Sequence, residues 1–373
     1  MNTAKFADRY VTRLIDKGNF TPATTITPRM MDVMSKKHRW GIHYNMDTYD
    51  GCCFVDGNSQ QPSAFAPPLA STFNIPKIDF NKIVDDAHAC HINIAFINAF
   101  HETGFNIWPS DIAKSMYTIG DGTHITPYHN QDTYNVRGHA DPGIIENFCT
   151  VMRKEGIEPW LYVNLSAHWN FFNTMQPVSN LYAYGDNRRA EWVLYVCLLC
   201  QELLVKYGPN GLKGLWIDAY TVLNRAEYQK VYNAIKSIDP DCWVTMNMGV
   251  SNTFHNFPGD AQSYEGYVIN NPSVDQYKNI DSVVDGVTYK IPKEFIISLQ
   301  TLTNPQLWYD YTDVVRIPAP YPVGQYLPQA TLQGLYNAAM SYGCGFMTSP
   351  SLTRFGTFRP EQLAALKALT YHL

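Results

Sequence analysis

Charge is scarce in this chain. Only 16% of its 373 residues are Asp, Glu, Lys or Arg, and 28 basic against 33 acidic side chains leave a net charge of −5. That balance offers no cationic surface for a nucleic-acid backbone or an anionic bilayer, so neither is expected as a partner. Long hydrophobic runs are missing too: no stretch approaches the roughly 20 apolar residues of a membrane span, and the opening MNTAKFADRYVTRLIDKGNF lacks the apolar core of a secretory signal. The expectation is a soluble chain, cytoplasmic or carried on a larger assembly such as a virion. Neither Gly-x-Gly-x-x-Gly nor Gly-x-x-x-x-Gly-Lys-Ser/Thr occurs, which removes the common phosphate-binding fingerprints. Metal and redox signatures are equally thin. Cys197 and Cys200 form a Cys-x-x-Cys, but inside the helical pattern WVLYVCLLCQELL and without a second pair to complete a zinc set. The other cysteines, Cys52, Cys53, Cys90, Cys149, Cys242 and Cys344, lie mostly in apolar runs and read as reduced core thiols. No cofactor and no metal is expected.

What is present is apolar and aromatic. Hydrophobic residues reach 45% and aromatic residues 14%, which excludes a disordered or coiled-coil chain. At 373 residues the chain is either two modules or one large α/β architecture. Short β-rich runs alternate with amphipathic stretches along it. The candidate strands are 39–45, 92–99, 159–165, 214–220, 242–248, 264–270, 295–301 and 345–349, with helices predicted at 78–90, 141–156, 190–208, 226–238, 331–343 and 359–373. Eight strands interleaved with helices fit a (β/α)₈ TIM-type barrel with long βα loops, since open sheets more often stop at five or six. Two long irregular insertions, Gly51 to Pro76 and Ser110 to Ala140, each follow a candidate strand. A barrel carries its chemistry on the rim where strands end, and both insertions fall there.

The residues at those strand ends are unusual. His43, Tyr44 and Asn45 close the first strand; His101, Glu102 and Trp108 follow the second; Asn164, His168 and Trp169 follow the third. Asp218 and Asn247 close the fourth and fifth, and Asp260 and Glu265 lie near the sixth. Flat aromatic faces, neutral and acidic hydrogen-bonding groups and a possible carboxylate pair suit a carbohydrate. Asp218 stands out, because an acid ending the apolar run Gly-Leu-Trp-Ile is either at an open strand end or buried at a penalty of several kcal/mol. Capping of the next turn is its alternative reading. Glu265 and Asp260 are both candidates for the partner carboxyl that glycoside cleavage requires, against a solvated-loop reading for each. His43, His101 and His168 could each be a core histidine, but three at successive strand ends favour ligand contact. Trp216, in mid-strand, reads as packing. The basic cluster Lys36, Lys37 and Arg39 reads as a solvated face.

Several motifs together resemble the catalytic barrel of glycoside hydrolase family 29, the retaining α-L-fucosidases. Lys37-His-Arg-Trp-Gly-Ile-His43-Tyr-Asn resembles that family's first strand, and His101-Glu-Thr-Gly-Phe105-Asn-Ile-Trp108-Pro-Ser its His-His-Asp-Gly-Phe-x-x-Trp-Pro-Ser segment. Tyr134-Asn-Val, Met152-Arg-Lys-Glu-Gly156 and Leu161-Tyr-Val-Asn-Leu-Ser166 run in the family's order. Tyr207-Gly-Pro-Asn-Gly-Leu-Lys-Gly-Leu-Trp216-Ile-Asp218 is similar to the segment ending in its nucleophile. The resemblance implies residues 1–30 as an N-terminal extension and 31–373 as one catalytic barrel without a C-terminal β-sandwich. It implies a retaining exo-glycosidase with Asp218 as nucleophile and Glu265 as acid/base. The substrate-binding set is then His43, Tyr44, His101, Glu102, Trp108, Tyr162, His168, Trp169, Asn247 and Asp260, with a carbohydrate as partner and the oligomeric state open. Glu102, Thr103, Tyr44 and Ala219 depart from the family pattern. These departures motivate a second reading, a carbohydrate-binding barrel with impaired catalysis that serves in adhesion or virion attachment.

Overall fold

The computed structural model describes residues 18–44, 78–101, 106–112, 143–165, 187–218, 223–248, 257–265, 278–301, 306–307 and 325–372. In chain order the elements are α1 (Pro28–Ser35), β1 (His38–Ile42), α2 (Phe80–Ala89), β2 (Ile94–Phe100), α3 (Ile144–Lys154), β3 (Glu158–Asn164) and α4 (Asn187–Tyr207). Then come β4 (Gly214–Asp218), α5 (Arg225–Ile238), β5 (Trp243–Asn247), β6 (Ala261–Glu265), a hairpin of β7 (Asp281–Val284) and β8 (Val287–Lys290), and β9 (Lys293–Ser298). Three two-residue strands, β10 (Gln300–Thr301), β11 (Gln306–Leu307) and β12 (Gln325–Tyr326), precede α6 (Gln329–Ser341), β13 (Gly345–Ser349) and α7 (Pro360–Lys367). Strands β1, β2, β3, β4, β5, β6, β9 and β13 close into one parallel barrel, each bonded to its neighbours, with β13 returning to β1. The expected (β/α)₈ architecture is what forms.

Both faces of these strands are buried, which is why they read as apolar runs rather than as strict alternation. Alternate residues still divide cleanly. Ile42, Ile97, Leu161, Ile217 and Met246 pack outward under the helices, while Phe96, Trp160, Tyr162, Trp216, Trp243, Ile296 and Met347 fill the interior. Such large rings fit because the adjacent strands carry glycine in register with them, Gly41 beside Phe96 and Gly214 beside Trp160. A Cβ on Gly41 would lie 2.6 Å from Phe96 Cζ, and one on Gly214 would lie 2.6 Å from the Trp160 indole.

Helix α1 closes the floor at the strands' N-terminal ends. Thr27 caps it by accepting from the Met30 amide at 3.1 Å, Pro28 opens it, and Met30 and Val33 enter the interior cluster. Arg39 corrects the expectation of a solvated basic face: it is buried, donates to the Val33 carbonyl at 2.8 Å, and pairs with Glu294 inside the barrel. Glu294 also accepts from the Trp216 indole at 2.7 Å. Nearby, Glu158 accepts from Trp160 at 2.7 Å and pairs with Arg29 and Lys36. Burial alone would raise the Glu158 pKa, but its hydrogen bonds and charge partners pull it down to about 2.

One barrel strand is shifted from the sequence expectation, and two elements are additional to it. The sixth barrel strand is Ala261–Glu265 rather than 264–270, so Glu265 ends it instead of starting it. The β7–β8 hairpin and α1 were not anticipated. The hairpin turns at Asp285 and Gly286, both at positive φ (49° and 78°), the Asp-Gly signature of a tight two-residue turn. The six described cysteines are free and buried, and burial raises the thiol pKa of each, to about 11 for Cys90 and about 12 for Cys242. Cys52, Cys53, Gly51 to Pro76 and all but the first three residues of Ser110 to Ala140 lie outside the described residues. Among the described residues no helix is long and apolar enough to cross a membrane.

Candidate active site

The interior positions that reach the C-terminal rim converge. Strand β4 points Gly214, Trp216 and Asp218 inward in sequence, so the acid that ends the strand emerges above an indole. On the neighbouring strand Tyr162 stacks on Trp216, with ring centroids 5.4 Å apart and planes 17° from parallel. Its hydroxyl donates to Asp218 Oδ2 at 2.5 Å and accepts from Asn164 Nδ2 at 3.0 Å. Asn247, ending β5, donates from one amide nitrogen to Asp218 Oδ1 and to Glu265 Oε1, at 3.0 Å each. Two acceptors on a single nitrogen are at most about 6 Å apart, and about 5 Å apart when its N–H bonds open at the trigonal angle. Asp218 and Glu265 are half-buried, whereas Asn164 and Asn247 are buried.

Two imidazoles complete this wall. His101 stacks on Tyr162 at 5.0 Å and 7°, and His43 meets the same ring edge-on at 5.5 Å. A β-bulge makes the first contact possible. The β2–β3 register shifts between Asn98 and Phe100, so Ala99 and Phe100 both face the helices and His101 turns inward instead of outward. His43 Nδ1 lies 3.1 Å from the Gly41 carbonyl and 2.6 Å from Ser349 Oγ, which itself donates to that carbonyl at 2.8 Å. A carbonyl only accepts and the serine proton is already committed, so Nδ1 carries the hydrogen and Nε2 is the acceptor. Burial lowers the His43 pKa to about 3, offset in part by the Gly41 hydrogen bond. Burial also holds His101 well below the ordinary histidine range, and His43 beside it adds to the effect. Both imidazoles are therefore neutral near pH 7. They can exchange hydrogen bonds with hydroxyls without drawing an anion into the site.

The structure brings together Asp218, Glu265, Asn247, Tyr162, His43 and His101. It moves three other expected site residues elsewhere. Trp108 is buried against Phe100, and its indole donates to Glu202 on α4 at 3.1 Å; with Ser110 it pins this loop to the helical layer. Tyr44 belongs to the sheet–helix core with Trp40 and Ile42, and its backbone amide is held by Asn98 Oδ1 at 2.8 Å. Asp260 precedes β6 and so sits at the opposite end of that strand from Glu265. There it accepts from Tyr232 at 2.7 Å and the Val244 amide at 2.9 Å, and pairs with Lys236 at 2.7 Å. Glu102, His168 and Trp169 lie outside the described residues. Asn164 was expected at the rim but not in the substrate-binding set, and Ser349 was not singled out at all. Strand parity was the signal for both, since Asn164 is two residues beyond Tyr162 and Ser349 ends Gly-Phe-Met-Thr-Ser. Among the described residues, no three His, Cys, Asp or Glu side chains could hold a metal.

Comparison with known proteins adds the following. A family profile described as "Uncharacterized protein conserved in bacteria (DUF2179)" matches residues 219–248, the region of α5 and β5. No curated protein matches the chain significantly. Solved structures do. An α-L-fucosidase of family GH29 from Bacteroides thetaiotaomicron superposes with a TM-score of 0.66 at 17% identity, over 95% of this chain and 75% of that one. A trapped covalent intermediate of a GH29 α-L-fucosidase from the same organism, in complex with 2-fluoro-fucosyl fluoride, gives 0.65 at 16% identity, over 95% of this chain and 76% of that one. The unliganded α-L-fucosidase AlfC from Lactobacillus casei gives 0.63 at 17% identity, over 91% of this chain and 97% of that one. Likeness at this level of identity establishes the shared barrel.

Proposed function

We propose that this protein is a retaining glycosidase of the α-L-fucosidase type, with Asp218 as nucleophile and Glu265 as acid/base. The observation that carries the proposal is the Asn247 amide bonded to both carboxylates, which keeps these two oxygens within about 6 Å of each other. That spacing suits direct attack on the anomeric carbon. An inverting enzyme holds its carboxyls farther apart, to leave room for a water. Asp218 Oδ1 faces Glu265 and attacks C1; the bond from C1 to the leaving oxygen breaks, and that oxygen takes the Glu265 proton. In the second step Glu265 removes a proton from water, the water oxygen attacks C1, and the electron pair of the ester bond returns to Asp218. The neutral His43 and His101 supply hydroxyl contacts, and the buried Tyr162 ring backs both imidazoles. Fucosidase activity in the similar structures supports the choice of sugar, and the covalent intermediate trapped in one of them supports the two-step route.

The test is turnover of an activated aryl α-L-fucoside, with the anomeric configuration of the first-formed sugar read by NMR. Wild type is expected to release sugar with configuration retained. Asp218→Asn should lose a factor of about 10⁴ or more while its melting temperature barely moves. An inverted product, or an Asp218→Asn variant that keeps its rate, overturns the assignment. Binding of a fucosylated oligosaccharide with no sugar released over hours would instead support a binding barrel.

A further inference from the structure

The Tyr162 hydroxyl is engaged in a way that a purely sugar-lining residue would not need. It is buried, its ring is clamped between His101 and Trp216, and Trp216 is anchored below by Glu294, itself paired with Arg39. A continuous stack therefore runs up the barrel axis from the floor and ends on one oxygen of the acid at its mouth. The direction of the hydrogen bond follows from its neighbours. Asn164 approaches through its amide NH₂ and can only donate, so the phenolic proton is directed to Asp218 Oδ2. The other carboxylate oxygen, Oδ1, is the one turned toward Glu265 through Asn247.

Resting on the glycosidase reading above, we infer that Tyr162 is a positioning residue acting on Asp218, and that it accelerates the second chemical step, breakdown of the glycosyl ester. When Oδ1 holds the sugar, Oδ2 is the ester carbonyl oxygen, and the phenol donates to a nearly neutral acceptor. As water attacks C1 and the bond from C1 to Oδ1 breaks, the electron pair returns to the carboxylate and its charge spreads onto Oδ2. The hydrogen bond strengthens during that step, which lowers the barrier. In the first step the order reverses. The carboxylate is fully charged before attack and less so at the transition state, so the same bond gives no acceleration there. Loss of the hydroxyl should slow ester breakdown and leave ester formation nearly untouched.

Tyr162→Phe tests this, because it keeps the ring stacked between His101 and Trp216 and removes only the donor. The substrate is an aryl α-L-fucoside with a good leaving group, followed by stopped flow and intact-protein mass spectrometry. The expected result is a kcat reduced by about 10- to 100-fold, the range for one hydrogen bond to a charged group. KM should fall in parallel, so that kcat/KM changes less than about 3-fold. A burst of phenol close to one per site should accompany a protein mass increased by one sugar residue. Asn164→Ala, which touches the phenol from the other side, should shift kcat and KM in the same direction by less, and it decides the matter alone if Tyr162→Phe does not fold. A kcat/KM that falls without a burst places Tyr162 on the substrate and overturns the inference, as do wild-type kinetics in the variant. These outcomes arise only if wild type turns over. Absence of wild-type turnover on the same substrate overturns the glycosidase reading and this inference with it.

Discussion

Replacing Gly214 with alanine drives a methyl group into the most crowded layer of the barrel. The new Cβ would lie 2.6 Å from the Trp160 Cδ1, Cε2 and Nε1 atoms, where carbon contacts normally settle at about 3.5–4.0 Å. The indole must retreat by roughly 1 Å, and little around it gives way. Trp160 is fully buried, its Nε1 is bonded to Glu158 at 2.7 Å, and the Arg39 guanidinium lies 5.5 Å above the ring. Overpacking of this kind costs about 1–3 kcal/mol, and pulling the indole from a carboxylate adds about 1.5–3 kcal/mol. Alanine's lower chain entropy offsets about 0.5–1 kcal/mol of that. A net loss of about 1.5–5.5 kcal/mol remains, equivalent to about 2–7 °C in Tm for a chain of this length. Urea titration and calorimetry measure it directly. Adding Trp160→Phe should restore at least half of the loss, because the smaller ring vacates the space the methyl needs. A Gly214→Ala protein within 1 °C of wild type would refute the close-packing argument, and so would a double variant weaker than the single one.

Acid should destabilise the fold well before its carboxylates titrate. His43 is held near pKa 3 when folded, and His101 is displaced in the same direction, against 6.5 for a histidine in the unfolded chain. The unfolded state therefore binds more protons below pH 6.5, and stability that is complete above that value declines as pH falls toward 3, at about 1.4 kcal/mol per pH unit for each group. Glu158, pulled from 4.5 to about 2, contributes only below pH 4.5, so the slope between 6.5 and 4.5 belongs to histidines. Urea midpoints that stay flat across that window would contradict the burial of these imidazoles. Asp260→Asn should lower stability by about 2–3 kcal/mol through its Lys236 ion pair and leave turnover unchanged, which separates it from Glu265. A large loss of kcat in that variant would return Asp260 to the chemistry.

The barrel was legible because its strands are apolar on both faces, and their spacing left room for little except eight βα units. Asp218 was legible for a related reason, since a carboxylate at the end of Gly-Leu-Trp-Ile has few stable places to be. Boundaries set by tertiary context were not. Strand β6 contains Gln262 and Ser263, buried polar residues of poor strand propensity, while the more β-like stretch after Tyr264 drew the expected strand downstream. Trp108 looked like a platform because it follows a rim histidine, and only Glu202, 94 residues further along on α4, shows why it faces the helices. His101 met the converse difficulty. Simple alternation along β2 would point it outward, and one extra residue in the strand, invisible to pattern reading, turns it in. Arg39 and Glu294 carry no local signal of their pairing at all, being 255 residues apart in sequence.

Because Met30 and Val33 of α1 plug the strands from below, traffic through the barrel is one-sided. On the glycosidase reading, the water that releases the sugar arrives by the same doorway through which the first leaving group departs. Any alcohol waiting at that doorway competes with water for the same ester. A sealed base thus couples hydrolysis to transfer, and which of the two dominates becomes a property of the entrance rather than of the carboxylates beneath it.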